Sequence, residues 1–489
     1  MKKCNQCNLE VYENEEKCIF HSDKETWKDD ENWDKDKVSF FWKELNNALK
    51  NPFYSFNKKT IFKEITMHSN AKEEKINMIS KCIIPPLLNI DNLDNEVKHY
   101  YFDECTFLDN FKIATRSVYT LKSEFNFFNC LFNGKFEVQL DNGICEKNIE
   151  LRSNKHLGDI HFYGLFQGDV IINNLQKIDD NKTINIFFRP SLVIFTSSYK
   201  YIELSDLDNS NIEDIKFWFM RADKLIITNR RDNATSLNSL TFQDSIFDKL
   251  KISDLRLNNF SFSDIDFIEN SKVLFEKIKS KDFKIKKITQ DAKYIQFHHL
   301  EITDNFICDR VEFKNTYFND FNISQAKKTI TKTSFIDASL NSIEWGDFFK
   351  INSSKDIFRQ LKFVSDKQGN HIDANNFYMM EMQKYRENIG DGKNQDKIVF
   401  YFNNIVSNFG QSWVRPFGIY LGFGLIFSIL MFYFFPINDM PFEKILVDAY
   451  NPISKSIFEK YSLVGLVYKI VSGLIIYQLV IALKRQTKR

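Results

Sequence analysis

A five-residue period dominates the middle of this sequence. Between about residues 100 and 346, apolar side chains recur at every fifth position, a spacing that fits neither an α-helix nor a β-strand. A small residue often stands two places earlier, as Cys105 does before Phe107 and Cys130 before Phe132. The longest run comprises Phe242, Phe247, Ile252, Leu257, Phe262 and Phe267. A fixed period of this kind predicts a solenoid, in which each coil buries its apolar face only against its neighbours.

The alternative is an ordinary β-rich domain, because 50 of the 489 residues are Phe and such a composition can produce chance periods. The unbroken run from Phe242 to Phe267 favours the solenoid. Two stretches, residues 147–174 and 185–201, keep no clean period. We interpret them as alternating strands with insertions in an irregular solenoid.

The five-residue spacing, with its small residue two places before each apolar one, resembles the pentapeptide-repeat family. The resemblance implies a mainly β protein, a right-handed quadrilateral β-helix with one pentapeptide on each side, which we place at residues 100–350. It also implies that Cys105 and Cys130 are small interior residues rather than nucleophiles. His298 and His299 have no carboxylate or cysteine close by in the sequence, and we expect them to be structural.

Two apolar segments predict a transmembrane hairpin within residues 411–489. Residues 417–435 carry no charge, and residues 463–483 contain a single charge, at Lys469, and an amide at Gln478. At about 1.5 Å per residue, each segment is long enough to cross the hydrocarbon core of a bilayer. The alternative is a pair of buried core helices, but neither segment has the polar face that is typical of a soluble helix.

Residues 354–410 form a predicted helical connector. Within it, residues 354–388 fit two helices broken at Gln368–Gly369–Asn370, with Gly369 as the left-handed stop of the first. The stretch "FRQLKFVSDKQGNHIDANNFYMMEM", the segment "SNFGQSWVRPF", two spans and the ending "IYQLVIALKRQTKR" are similar to a bacterial group of membrane-bound pentapeptide-repeat proteins. The "CIFH" of residues 18–21 also resembles the start of some members. No reaction comes with this resemblance.

Some relatives in that group are described as having an ion-channel-like hairpin of span, pore loop and span. A potassium filter needs a Gly-containing loop whose carbonyl groups face the pore. Loop 437–462 contains no Gly, so any pore here would not be selective in the potassium manner.

Four residues of the hairpin are candidate pore or packing positions. We interpret Lys469 as a cation that snorkels to the outer headgroups, with a pathway-lining cation as the alternative. Gln478 is the second polar candidate. Gly418 and Gly422 form a small-xxx-small pair that permits close helix approach.

The topology follows from the distribution of cations. The start "MKKCNQCNLEVY" has no apolar h-region, so we expect no cleavable signal peptide. Cations precede the first span and close the tail, whereas the lysines of loop 437–462 are diluted by acidic residues. This bias predicts that both termini and the repeat domain are cytoplasmic, at the bacterial inner membrane.

A cysteine and histidine cluster opens the chain within residues 1–24. Its spacing is C-x2-C-x10-C-x2-H, and the members are Cys4, Cys7, Cys18 and His21. Three thiolates and one imidazole complete a closed tetrahedral site, which predicts structural Zn2+. The alternative is three reduced cysteines and a surface histidine. Residues 25–99 are interpreted as a linker with short helices, including an amphipathic one at 38–49.

The function classes narrow from here. Lys and Arg number 66 against 65 Asp and Glu, so we expect no nucleic acid partner. No Walker loop, dinucleotide fingerprint, G-x-S-x-G or H-E-x-x-H motif is present, and we expect no enzymatic activity. The sequence favours a membrane-anchored scaffold that binds an unidentified protein through its β-helix and contacts the lipid bilayer. The alternative is an oligomeric, ion-channel-like or membrane-perturbing effector gated by its cytosolic domain, which requires a homo-oligomer.

Overall fold

The protein is described from a computed structural model. It describes residues 10, 12, 17–20, 22–29, 32–50, 62–69, 72–87, 93–94, 96–115, 120–156, 158–175, 184–189, 197–205, 212–229, 236–290, 292–340, 342–388, 394–434, 440–451 and 462–487. The chain divides into two compact units, residues 1–351 and 352–489.

The first unit is a parallel β-solenoid of about nine turns, as the sequence predicted. Its first strands are β1 (Lys28–Asp29), β2 (Asn32–Trp33), β3 (Phe62–Ser69), β4 (Lys72–Ser80) and β5 (Ile83–Ile84). The next strands are β6 (His99–Asp103), β7 (Thr106–Phe107), β8 (Phe111–Thr115), β9 (Thr120–Leu121), β10 (Glu124–Phe128), β11 (Leu131–Phe132), β12 (Phe136–Cys145), β13 (Ile149–Arg152), β14 (Lys155–His156) and β15 (Ile160–Asn173). The last are β16 (Ile184–Arg189), β17 (Ser197–Ser205), β18 (Ile212–Trp218), β19 (Met220–Thr228), β20 (Ser236–Gln290), β21 (Tyr294–Val311), β22 (Thr316–Asn322), β23 (Lys327–Thr331), β24 (Ala338–Ser339), β25 (Ile343–Glu344) and β26 (Ile351–Ser353).

Coil length varies along the solenoid. The ring of Phe242 stacks on that of Phe262, 20 residues later, at 4.4 Å, so four five-residue steps make one coil there. In other places the coil is longer. Phe125 pairs with Tyr100, 25 residues earlier, and Val170 pairs with Ile202, 32 residues later. The five-residue sides therefore hold over the region of the longest run, and insertions lengthen coils elsewhere. The hand and the square outline stay predictions.

Columns of stacked aromatic rings run through the core of the solenoid. Phe217 lies between Phe188 and Phe242, with ring centroids 4.8 and 4.7 Å apart, and all three side chains are fully buried. Offset-stacked rings of this spacing gain attraction beyond the burial of apolar area. A second column joins Phe275, Phe297 and Phe318. The unusual Phe content of the chain is thus used to fill the axis.

Many corners of the coils are left-handed residues other than Gly. Asp254, Lys277, His299 and Asp320 have φ between 51 and 58°, and they follow one another at about one coil each. The Lys277 ammonium lies 3.5 Å from an Asp254 carboxylate oxygen, and His299 Nδ1 lies 2.5 Å from Asp320 Oδ2. The sequence placed no carboxylate beside His299, and this expectation was wrong because winding brings Asp320 next to it. Opposite charges on successive coils offset part of the strain at these corners.

The segment interpreted as a linker, residues 25–99, is largely structured. Helix α1 (Lys35–Lys50) contains the predicted amphipathic helix, and its Phe41 and Trp42 are fully buried. The Trp42 indole N–H donates to the carbonyl oxygen of Pro86 at 3.2 Å. Strand β4 pairs in parallel with β6, so the β-structure begins before the predicted residue 100. Repeat folds need such a terminal cap to cover the first coil.

The second unit is helical. Its helices are α2 (Lys355–Lys367), α3 (His371–Asn388), α4 (Asn394–Ser407), α5 (Val414–Phe434), α6 (Phe442–Tyr450) and α7 (Ser462–Thr487). Gly369 stands between α2 and α3 with φ of +80°, which confirms the predicted break. The Arg359 guanidinium joins the two helices through a 2.8 Å bond to the buried carboxylate of Glu381.

Candidate functional site

Helices α5 and α7 confirm the two apolar helices predicted at 417–435 and 463–483. The segments long and apolar enough to cross a bilayer are Val414–Phe434 and Leu463–Arg485, each with a mean hydropathy of 2.0. Only 22% of the first and 28% of the second is buried within the protein, which is the opposite of a pair of core helices. Their outward apolar side chains, from 45 to 76% exposed, include Leu425, Ile426, Phe434, Leu463, Leu466 and Ile470.

Helix α6 packs along the outer half of α5. Ile445 and Ala449 of α6 join Phe427 and Met431 of α5 and Tyr468 of α7 in one buried apolar cluster. The helices come closest at a single glycine of α5, since a Cβ on Gly424 would lie 2.3 Å from the Tyr450 ring. Gly424 is the central residue of α5, so α6 ends level with the middle of the first span.

The predicted small-residue pair does not make this approach. No described heavy atom lies within 4 Å of the place where a Cβ on Gly418 or Gly422 would stand. Within this chain the close contact therefore belongs to Gly424, which the sequence did not single out.

Tyrosine hydroxyls satisfy the end of α6. Tyr420 donates to the carbonyl oxygen of Tyr450 at 3.0 Å, and Tyr468 donates to that of Ala449 at 2.9 Å. The Tyr450 hydroxyl in turn donates to the carbonyl oxygen of Leu421. The last carbonyl groups of a helix have no partner within the helix, and in lipid each needs one. The two spans thus supply the bonds that would let α6 end at membrane depth.

The two polar candidates of α7 are not brought together. Gln478 links α7 to α4, because its amide donates to Asn403 Oδ1 at 2.7 Å and accepts from the Ser407 hydroxyl at 2.9 Å. Lys469 follows Tyr468 and is half-buried. Nine residues of helix place the two about 13 Å apart along the axis. The structure gives Gln478 a helix-packing role.

Three of the four predicted zinc ligands, Cys4, Cys7 and His21, lie outside the described residues. Cys18 is buried and begins a turn in which its carbonyl oxygen accepts from Ser22 N at 2.8 Å. Within the described part of the chain, no three His, Cys, Asp or Glu side chains are grouped to hold a metal ion.

A buried cation lies close to this turn. The Lys24 ammonium donates to the carbonyl oxygens of Phe20 and Ser22 at 3.0 and 3.3 Å. It also lies 5.5 Å from the Trp27 ring centroid and 5.1 Å from that of Phe41. Carbonyl groups and aromatic faces thus replace the water that a buried ammonium loses. The turn that carries Cys18 is tightly packed, which suits a structural role.

Buried thiols form a ladder in the first coils. Cys82, Cys105 and Cys130 each precede the first residue of a paired strand, so they align from coil to coil. Cys130 Sγ donates to the Phe128 carbonyl oxygen at 3.2 Å, and Cys82 Sγ to that of Phe20 at 3.1 Å. Burial raises the pKa of the Cys82 and Cys105 thiols well above the usual range. The prediction that Cys105 and Cys130 are interior residues is confirmed.

A histidine continues one aromatic column. Phe107, Phe132 and His156 stack with centroids 4.5 and 4.4 Å apart. His156 is 2% exposed, and neither of its ring nitrogens has a hydrogen-bond partner among the described residues. Burial lowers the pKa of His156 to about 3. The ring therefore behaves as a neutral aromatic group in the core.

Sequence reasoning missed one polar site in the second unit. A pocket of about 270 Å³ opens between α2, α3 and the end of α7. Lys484 and Arg485 served in the sequence only as topology signals, and Lys362 on α2 is remote from them in the chain. A cationic run beside a helical hairpin is the signal that could have found it.

The solenoid and the helix pair are the only links to the family that the sequence suggested. The repeat pattern carries that resemblance alone. No protein-family model, no curated protein and no solved structure matches this chain.

Proposed function

We propose that this chain is a bacterial, membrane-anchored scaffold whose solenoid binds a protein partner at the cytoplasmic face of the inner membrane. The observation that supports it is the exposed apolar surface of α5 and α7. Folded soluble proteins rarely expose contiguous apolar patches of this size, because each Å² left in water costs about 25 cal/mol. Lipid would remove that cost.

The solenoid supports the binding part of the proposal. Stacked coils give a long, stiff surface, and repeat proteins commonly use such surfaces for recognition. Charges of both signs alternate on its corners, as at Asp254 and Lys277, and the whole chain is almost neutral. A protein partner suits this surface better than a polyanion does. We propose no catalytic step.

Alkaline carbonate extraction of membranes tests the anchor. We expect the full-length chain to stay in the membrane pellet, because only lipid solvation covers α5 and α7. Protease added to inverted vesicles should digest the solenoid, and protease added to spheroplasts should not. As a control, Ile426→Asp places a charge on the lipid-facing side of α5 and should reduce the pelleted fraction. Release of the unchanged chain by carbonate would refute the proposal.

A second candidate is an oligomeric pore. The position of α6 favours it, since a short helix that ends level with the middle of a span has the geometry of a re-entrant segment. Two spans cannot enclose a pore alone, so this function needs several copies. In planar bilayers, unitary conductance that Lys469→Leu abolishes would select the pore, and crosslinking that yields only monomers would reject it.

We propose a structural Zn2+ on Cys4, Cys7, Cys18 and His21. The donor set is that of closed tetrahedral zinc sites, and the buried turn at Cys18 fits a ligand position that water does not reach. We expect one zinc per chain in protein purified under reducing conditions without chelator. Cys18→Ser should abolish zinc binding, whereas Cys308→Ser, at another buried thiol, should retain it. Metal-free wild-type protein of unchanged stability would contradict the proposal.

A further inference from the structure

The pocket between α2, α3 and the end of α7 carries an excess of positive charge. Its lining includes Lys362, Asp366, His371, Tyr378, Lys484 and Arg485. Three permanent cations thus face one carboxylate. That carboxylate is occupied, because Asp366 Oδ1 lies 3.3 Å from His371 Nδ1. The pocket therefore presents a net positive field to a ligand.

Tyr378 holds two of these cations together. The Lys362 ammonium lies 4.6 Å from the ring centroid, and the Arg485 guanidinium lies 4.2 Å from it. Since both contact one ring, the two charges are no more than about 9 Å apart. Cation–π attraction offsets part of their repulsion, and an anion bound between them would offset the rest.

Arg485 is oriented for a ligand with several oxygen atoms. One of its terminal nitrogens donates to the carbonyl oxygen of Phe409, which fixes the plane of the guanidinium. The backbone of the same residue is held as well, because Asn375 Nδ2 donates to the Arg485 carbonyl oxygen at 3.3 Å. A guanidinium has five N–H donors in a rigid fork, a geometry that suits phosphate oxygens.

We infer that this pocket binds the phosphate group of an anionic lipid headgroup. The inference rests on the proposed membrane anchor, because Lys484 and Arg485 close the second candidate span, Leu463–Arg485, at its predicted cytoplasmic end. Phosphates of the inner leaflet lie at that level, and basic pockets beside spanning helices recognise them. The pocket would thereby fix the depth and rotation of α7 and hold α2 and α3 against the membrane surface.

Thermal unfolding of the detergent-purified full-length chain tests the inference. Short-chain phosphatidylglycerol should raise the melting temperature in a saturable manner, and the same concentration of phosphatidylcholine should not. The double variant Lys362→Gln/Lys484→Gln should weaken the apparent affinity at least about tenfold, since each cation near a lipid surface contributes roughly one kcal/mol. Lys362→Arg/Lys484→Arg should bind as the unchanged chain does.

A matched control removes the same charge outside the pocket. Lys367 on α2 and Lys444 on α6 are exposed and do not line it, so Lys367→Gln/Lys444→Gln should respond to lipid as the unchanged chain does. If the pocket double variant fails to fold, Lys484→Gln alone, at an exposed side chain, serves instead and should also weaken binding.

Three results would overturn the inference. Equal stabilisation by phosphatidylcholine would remove the requirement for negative charge. Equal stabilisation by inorganic phosphate would assign the pocket to the free anion rather than to lipid. An unchanged affinity in the pocket variants would place the lipid elsewhere. Any of these, in a protein that carbonate does not extract, would sink the pocket alone, whereas release of the unchanged chain by carbonate would sink the anchor.

Discussion

Phe217→Ala is expected to lower the free energy of unfolding of the solenoid by about 4 kcal/mol. The ring is fully buried between those of Phe188 and Phe242, at 4.8 and 4.7 Å. Alanine removes the buried apolar area, leaves a cavity in a stack that coils on both sides hold in place, and breaks two ring contacts. The stiffness of the parallel ladder leaves little freedom for the gap to close.

Chemical unfolding of the full-length chain in detergent, followed by near-ultraviolet circular dichroism, measures this effect. Phe349→Ala is the matched control, since Phe349 belongs to the same unit and is 66% exposed. It should change the unfolding midpoint little. Phe217→Leu refills most of the cavity and should fall between the two. Equal midpoints for Phe217→Ala and Phe349→Ala would show that the aromatic column does not stabilise the solenoid.

The aromatic column also shows how far the sequence reaches. The run from Phe242 to Phe267 predicted that residues 20 apart stack, and Phe242 does stack on Phe262. The lengths of the other coils could not be predicted, because insertions at corners change the coil length without changing which residues are apolar. The left-handed corners at Asp254 and Lys277 escaped for a related reason. Their conformation is imposed by the stacked coils rather than by local preference.

The second unit divides in the same way. Local signals predicted the break at Gly369 and both apolar helices. Contacts between distant residues were not predictable from spacing. The close approach of Tyr450 to Gly424 and the pocket that joins Lys362 to Arg485 depend on how helices pack after they form. A Gly-free loop gave no indication that α6 would lie along the first span.

Acidification is expected to destabilise the solenoid through His156. Burial lowers the pKa of its ring to about 3 in the folded state, against about 6.5 in an unfolded chain. Below pH 6.5 the unfolded state therefore binds a proton that the folded state refuses, so stability is complete above that pH and falls as pH decreases. The loss is about 1.4 kcal/mol per pH unit, approaching about 5 kcal/mol near pH 3.

His156→Phe isolates this contribution. Phenylalanine extends the stack of Phe107 and Phe132 and carries no ring nitrogen to desolvate, so the variant should be more stable than the unchanged chain at neutral pH. Between about pH 7.5 and pH 4.5 its advantage should grow by roughly 3 kcal/mol, because only the unchanged chain gains a proton on unfolding at this site. His298→Gln, at a half-buried histidine of the same unit, should keep the acid sensitivity of the unchanged chain. An advantage that stays constant with pH would mean that water reaches the His156 ring in the folded protein, and the packing of this column would then have to be looser than its contacts indicate.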